Sequence, residues 1–329
     1  MDLKSLILRL IREEGPIKVS RFVDLALYHP VYGYYNNTIT GKEGDFYTAP
    51  DLHPIFGTAI GEYLKRKNIR VVLEAGAGKG WLAHDVLRVF DGEYWIVEKS
   101  ENMRRIEKRI LSDFTGRVKW FPDLESVPEF NGIFLSNELF DAFPFDLYKK
   151  TEHGWKEVLV DENLQFTTGD IRDKSVENIL RHYEGASFVV IPAGWDEFIR
   201  VLSGKHKGEF IVIDYGFERE ELVRKFPAGT IQTYKKHQPG RYFLEDPGTQ
   251  DITFFVDFTL LGEIFKKYGY HDLELKTQAD FLIEDLKILE ILKNIEAAGD
   301  TKASIKARLA VKTLIMDFGR SFKVLRGRK

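Results

Sequence analysis

Residues 71–82 read Val-Val-Leu-Glu-Ala-Gly-Ala-Gly-Lys-Gly-Trp-Leu, and this stretch decides the fold. A β-branched run, Arg70–Leu73, enters a glycine-rich turn, and Trp81–Phe90 leaves it with helical spacing. Strand, turn and helix in that order suit a nucleotide-type ligand at a helix N-terminus. Three loop chemistries share this context. A Walker A loop needs G-x-x-x-x-G-K-[ST]. With Gly78-Lys79 as its G-K pair, Leu73 stands where the first Gly belongs and Gly80 where Ser or Thr belongs. A dinucleotide loop needs G-x-G-x-x-G. Its third Gly falls on Trp81, which would crowd helix against strand. What fits is acid-x-G-x-G-x-G, formed by Glu74, Gly76, Gly78 and Gly80.

That spacing is similar to the one in class I methyltransferases, so S-adenosylmethionine (SAM) is the expected cofactor. The glycines let the backbone pass close under an adenosyl ligand and take positive φ where needed. SAM carries an ammonium and a sulfonium rather than phosphates, and a carboxylate such as Glu74 suits it. The strand Glu93–Val97 closes on Glu98, about 20 residues past the glycines, where an acid hydrogen-bonds ribose hydroxyls. Asp123, just after the strand Val118–Phe121, is placed to face the adenine.

Working outward, the pattern alternates. Helix Glu101–Ser112 separates the second and third strands, and a fourth strand, Gly132–Leu135, ends at Ser136-Asn137-Glu138. This β-α-β order predicts an α/β class I (Rossmann-like) fold, a mostly parallel sheet with helices on both faces. Before it, residues 2–14, 18–28 and 53–67 read as helices, with Ser20 as an N-cap and a loop over 31–50. After it, residues 147–168 read as a β-hairpin, 175–183 and 194–203 as helices, and Glu209–Asp214 as an apolar strand. Residues 217–256 look irregular. A helix capped by Asp257, a strand near 272–277 and helices near 279–297 and 302–317 follow. The tail Lys323–Lys329 reads as solvated charge. The expected division is an N-terminal helical lid over 1–65 and a methyltransferase domain over 66–329, with insertions near 147–185 and 217–256.

Composition bounds the rest. The 329 residues are 43% hydrophobic with a formal net charge of -3, which lacks the basic footprint of a general nucleic-acid binder. Without cysteine there is no disulfide, thiolate zinc site or cysteine nucleophile. The histidines have no metal spacing such as H-E-x-x-H, so no metal is expected. No apolar run approaches the roughly 18 residues of a membrane span. The N-terminus has no signal-peptide or transit-peptide pattern, and a cytoplasmic protein is expected. A homodimer is left open.

Seven segments then share one family's order: Y-H-P-V-Y-G-Y-Y (28–35), G-D-F-Y-T-A-P-D (44–51), L-E-A-G-A-G-K-G (73–80), S-N-E-L-F-D-A-F-P (136–144), I-D-Y-G (213–216), Q-T-Y-K-K-H (232–237) and D-I-T-F-F-V-D-F (251–258). In these the sequence resembles the MidA-like family, whose mitochondrial members are arginine methyltransferases needed for respiratory complex I assembly. The family usually has E-L-G-P-G-R-G and continues G-D-F with T-S-P-E. Here the glycine spacing is kept, and Asp51 replaces the Glu.

The resemblance implies methyl transfer from SAM to a guanidino nitrogen of a protein arginine, in a partner such as a complex I subunit. Asn137 and Glu138 end the fourth strand, on the crevice side of an open sheet, and Asp141 follows. A carboxylate can hold the guanidinium fork in two hydrogen bonds and orient one nitrogen. Glu138 is the first choice for that clamp and Asp141 the second. Asp45 is expected to close over the methionine end of the cofactor. Two other readings stay open: transfer to a small molecule or nucleic acid, and a SAM-binding assembly factor without catalysis.

Overall fold

Short apolar strands alternate with amphipathic helices along most of the chain, and in the computed structural model that alternation becomes one twisted sheet with two smaller ones beside it. The structure describes residues 2–37, 49–235, 238–239, 242–319 and 321–329. The chain begins with α1 (Leu3–Glu14), β1 (Ile17–Lys18), α2 (Val19–Tyr28), α3 (Tyr34–Asn37), α4 (Ala49–Leu52) and α5 (Ile55–Arg66). The sheet-forming part follows with β2 (Val71–Ala75), α6 (Trp81–Leu87), β3 (Glu93–Val97), α7 (Glu101–Ile110), β4 (Val118–Phe121) and β5 (Phe130–Asn137). A 3-10 turn, Phe140–Ala142, leads to β6 (Phe145–Thr151), β7 (Gly154–Val160), β8 (Phe166–Gly169), α8 (Lys174–Leu180) and β9 (Phe188–Pro192). Then come α9 (Trp195–Lys205), β10 (His206–Phe217), α10 (Arg219–Lys225), β11 (Ile231–Lys235), β12 (Gln238–Pro239), β13 (Asp251–Phe254) and β14 (Val256–Asp257). The last elements are α11 (Phe258–Lys267), β15 (His271–Thr277), α12 (Gln278–Asp280), α13 (Ile288–Ala297), α14 (Thr301–Lys312) and β16 (Phe322–Arg328).

The main sheet runs β4-β3-β2-β5-β10-β16-β15. Its first five strands are parallel, and β16 is antiparallel to both of its neighbours. The order leaves β2 in one direction through β3 and β4 and returns on its other side at β5. A crevice forms where the order reverses, at the carboxyl ends of the strands. The glycine turn follows β2 and Asn137 ends β5, so the sheet itself brings them together.

Successive strand residues feed opposite faces. Val72, Tyr94, Ile96, Ile133, Leu135, Ile211 and Ile213 pack with α5, α6 and α14. Leu73, Trp95, Phe134, Phe210 and Val212 pack on the other side with α9, α11 and the inserted strands. Both faces are covered, which is why these strands read as continuous apolar runs.

Several expectations need correction. Ser20 is not the cap of α2: Lys18 holds that position, and the Ser20 amide instead donates to Asp146 Oδ1 at 3.3 Å. Residues 217–256 are not irregular, since they supply α10, β14 and a small antiparallel sheet, β12-β11-β13. The hairpin over 147–168 belongs to a larger second sheet, β1-β7-β6-β9 with β8 on β7. Residues 1–65 divide: β1 pairs with β7 of that inserted sheet, while α5 belongs to the core under the main one. The tail is a strand, not solvated charge. In β16, Val324 and Leu325 are buried, Arg326 pairs with Glu274 and Asp285, and Arg328 with Asp272.

Candidate functional site

The loop after β2 is shaped by its glycines. Gly76, Gly78 and Gly80 have φ of 71°, 56° and 86°. The Gly76 amide donates to Val97 at 3.0 Å and fixes the loop to the end of β3. A Cβ on Gly76 would meet Leu139 Cδ1 at 2.9 Å, while one on Gly78 would meet nothing within 4 Å. The bare Gly78 backbone lines a cleft of about 1660 Å³ that also reaches Glu74, Glu98, Asp123, Asn137, Glu138 and Asp141. The structure therefore assembles the described candidates along one cleft except Gly80, which caps α6 and where a Cβ would meet Leu111 Cδ1 at 3.5 Å instead. Asp45 lies outside the described residues.

At the β3 end, Glu98 is held for a polar partner. The Ser100 amide donates to its Oε1 at 2.6 Å, and burial raises its pKa against that bond and nearby Arg104. Ser100 caps α7, and its hydroxyl donates to Asn36 of the N-terminal segment at 2.8 Å. Asp123 spends one oxygen on the Ser126 amide at 2.8 Å. Glu74 is buried, with Tyr94 donating to its Oε2 at 2.8 Å, and burial pushes its pKa up to about 7. The residues present fit SAM: an open glycine floor, a carboxyl group just past the end of β3, and a buried acid whose partner among the described residues is the neutral Tyr94.

The other end of the cleft is acidic and buried. Glu138 follows β5 with φ of 54°, a backbone conformation costly for a side chain with a Cβ and concentrated at functional sites. Its amide donates to Ile213 O at 2.9 Å, so the strand pair β5–β10 holds this geometry. Asn137 Nδ2 donates to Glu138 Oε1 at 3.1 Å, while Asn137 Oδ1 is buried without a partner among the described residues. Burial, then the charge of Asp141, pushes Glu138 up to about 8, with the Asn137 bond opposing. Burial likewise pushes Asp141 up to about 6, against bonds from Thr253 and Tyr215.

Sequence reasoning assigned no role to the residues that hold this turn in place. Asp214, wholly buried at the end of β10, accepts from the Phe140 and Tyr215 amides at 2.9 Å and from the Asp141 amide at 3.3 Å. Trp195 Nε1 donates to Phe140 O at 3.0 Å. Tyr28 donates to Ala142 O at 2.7 Å, and Tyr35 to Asp251 Oδ1 at 2.9 Å, which ties the N-terminal segment to the acidic end. The signal was present in I-D-Y-G and D-I-T-F-F-V-D-F, which contain Asp214, Asp251 and Thr253. The partner of each bond, however, is distant in sequence.

Comparison with known proteins bears on the family and the cofactor. Residues 59–275 match the family model described as "Putative S-adenosyl-L-methionine-dependent methyltransferase". The mitochondrial protein arginine methyltransferase NDUFAF7 of Danio rerio is 30% identical over 296 residues, covering 76% of this chain and 68% of its own. Its counterpart in Xenopus laevis is 29% identical over 299 residues, covering 76% and 67%. A crystal structure from Burkholderia thailandensis, bound to S-adenosyl-homocysteine (SAH), superposes with a TM-score of 0.90 at 28% identity, covering 99% of this chain and 92% of that one. The expected cytoplasmic location does not stand, because these curated relatives are named as mitochondrial proteins. The N-terminal pattern was too indirect a guide to location. Glycine loop, strand order and relatives agree: the chain belongs to the MidA-like family of S-adenosylmethionine-dependent methyltransferases.

Proposed function

We propose that this methyltransferase modifies a guanidino nitrogen of a protein arginine. One observation carries the reading: Glu138 and Asp141, buried and with raised pKa values, lie on the same cleft as the glycine loop. Two crowded carboxyl groups cost stability unless a cation meets them. A guanidinium stays protonated in proteins and matches a carboxylate with two parallel hydrogen bonds. Tyr28, Tyr35, Tyr215 and Phe255 line the same cleft and offer flat faces to a guanidinium plane. The names of the curated relatives support the same acceptor.

In this reading Gly76 and Gly78 floor the cofactor, Gly80 turns the loop into α6, Glu98 holds the ribose, Asp123 borders the adenine and Glu74 faces the charged end. When bound, SAM supplies a methyl group on a sulfonium. Glu138 clamps and orients the guanidinium, Asp141 seconds it, and Asn137 Oδ1 accepts from an N–H of the acceptor. A carboxyl near neutral pKa is suited to take up the proton released as the nitrogen is methylated. A nucleic-acid acceptor fits poorly, because its phosphates would face these acids. By the family resemblance, the acceptor is proposed to be a complex I subunit.

The test is transfer from labelled SAM into cell extract of the source organism, followed by mass spectrometry. Label on arginine, lost in Glu138→Gln while SAH binding is kept, supports the reading. Label on another residue type, or undiminished label in the variant, overturns it. Label on arginines only outside complex I overturns the finer assignment alone.

A further inference from the structure

Helix α14 carries two apolar stripes, and the fold uses one of them. Ala307, Ala310, Val311 and Leu314 point inward and are buried in the core beneath the main sheet. At about 100° per residue, Ile305, Leu309 and Met316 fall on the opposite side. They are 53%, 60% and 64% exposed. Met316 lies in the π-helical turn Thr313–Asp317 that extends the helix. A helix needs one apolar face to pack on a core; a second apolar stripe in water is a candidate contact surface.

Charge narrows the partner. Lys302, Lys306 and Lys312 flank the outward stripe, are exposed and make no ion pair among the described residues. Arg308 is the exception, paired with Glu296 at 2.6 Å. Between Thr301 and Lys312 there is no acid, in a chain of net charge -3. Asp300 and Asp317 stand at the two ends. A protein segment can set its own acids opposite these lysines and its apolar residues against the stripe. Position points the same way. Asp317 and Phe318, directly after Met316, line the cleft that holds Glu138 and the glycine loop.

We infer that the outward face of α14 is a docking surface for the methyl-accepting protein. It would receive an apolar segment flanked by acidic residues and deliver the neighbouring arginine to the cleft. This rests on the protein-arginine reading, and adds that recognition reaches beyond the arginine itself. Lysines at the rim of such a contact act mainly on capture, through complementary charge.

The test compares two acceptors, extract protein of the source organism and a short synthetic arginine peptide, with labelled SAM. The variants are Lys302→Glu/Lys306→Glu/Lys312→Glu and, separately, Ile305→Ser/Leu309→Ser. With extract protein, the initial rate at low acceptor falls at least about tenfold in both variants. With the peptide it stays within about twofold of wild type, as does SAH affinity. An equal loss on peptide and protein overturns the inference, because the surface would then act through the fold. So does an unchanged rate on protein. If the charge variant instead loses binding to anionic phospholipid vesicles while its protein rate is kept, a membrane is the partner and the inference falls. No label in wild type with either acceptor sinks the arginine reading, and this inference with it.

Discussion

Thr253 donates its hydroxyl proton to Asp141 Oδ2 at 2.8 Å, a bond between residues 112 apart in the chain. Both are buried, and the Tyr215 hydroxyl is hydrogen-bonded to the same Thr253 oxygen. The donor matters because Asp141 has lost its water. Each hydrogen bond to the ionised form offsets part of the desolvation that raises its pKa from the usual value to about 6.

Thr253→Val keeps the shape of the side chain and removes that donor. The Asp141 carboxyl then titrates higher, by on the order of one unit. The acid limb of the kcat/KM profile is expected to move to higher pH by a similar amount, with the plateau rate less affected. A profile unmoved in Thr253→Val would show that Asp141 does not titrate in catalysis.

For the wild type, Glu138 with a pKa near 8 carries a proton in the free cleft at neutral pH. A bound guanidinium favours the ionised form, so the proton must leave as the acceptor binds. Acceptor affinity therefore rises with pH and levels off above about 8, with a slope of at most about tenfold per unit. SAH affinity, measured in parallel by calorimetry, should not share that slope. In Glu138→Gln the rise disappears and transfer falls by at least about 100-fold.

Gly78→Val tests the cofactor floor. At its φ of 56°, a residue with a Cβ incurs about 1–2 kcal/mol of local strain. No neighbour among the described residues lies within 4 Å of the new Cβ, so the fold survives and the methyl groups enter the cleft. SAH binding is expected to weaken at least about tenfold, or 1.4 kcal/mol. A folded variant that binds SAH like the wild type would remove this loop from the site.

Glu107 on α7 gives a stability prediction. It is wholly buried behind Gly80, accepts from Trp120 Nε1 at 2.9 Å, and leaves Oε1 without a partner among the described residues. Burial, then the charges of Glu98 and Glu74, pushes its carboxyl up to about 9. The unfolded chain ionises it near 4.5, so between about pH 5 and 9 the folded protein holds the extra proton. Its contribution to stability is full below that window and declines as pH rises through it, at up to about 1.4 kcal/mol per unit. Glu107→Gln cannot ionise, so its Tm gains on the wild type from pH 5 to pH 9. Parallel Tm curves would contradict the assignment.

How much of this was legible depended on how local each signal is. The strands Glu93–Val97 and Val118–Phe121 were read with the bounds they have, and Asp257 does cap α11 by accepting from the Leu260 amide. Turn, strand and cap chemistry sit within a few residues of one another. The β16 strand was missed because Arg326 and Arg328 look like solvated charge until Glu274, Asp285 and Asp272 are seen across the sheet. Ser20 looked like a cap because Asp146, 126 residues away, is invisible from its neighbourhood. In the site, the glycine loop was read from its spacing, and Asn137-Glu138 from their place at a strand end together with the family resemblance. Asp214, Asp251 and Thr253 act through partners that only the folded chain supplies.

The placement of β16 has a consequence for synthesis. β10 carries Asp214 and Tyr215, and β16 covers one whole edge of it, from Glu209 to Tyr215. On the ribosome that edge stays open until residues 322–328 are made. An open, apolar parallel-sheet edge is a template for pairing with another chain. Nascent chains stalled before Phe322 are therefore expected to depend on chaperones, and the acidic end of the cleft gains this support only once β16 has been made.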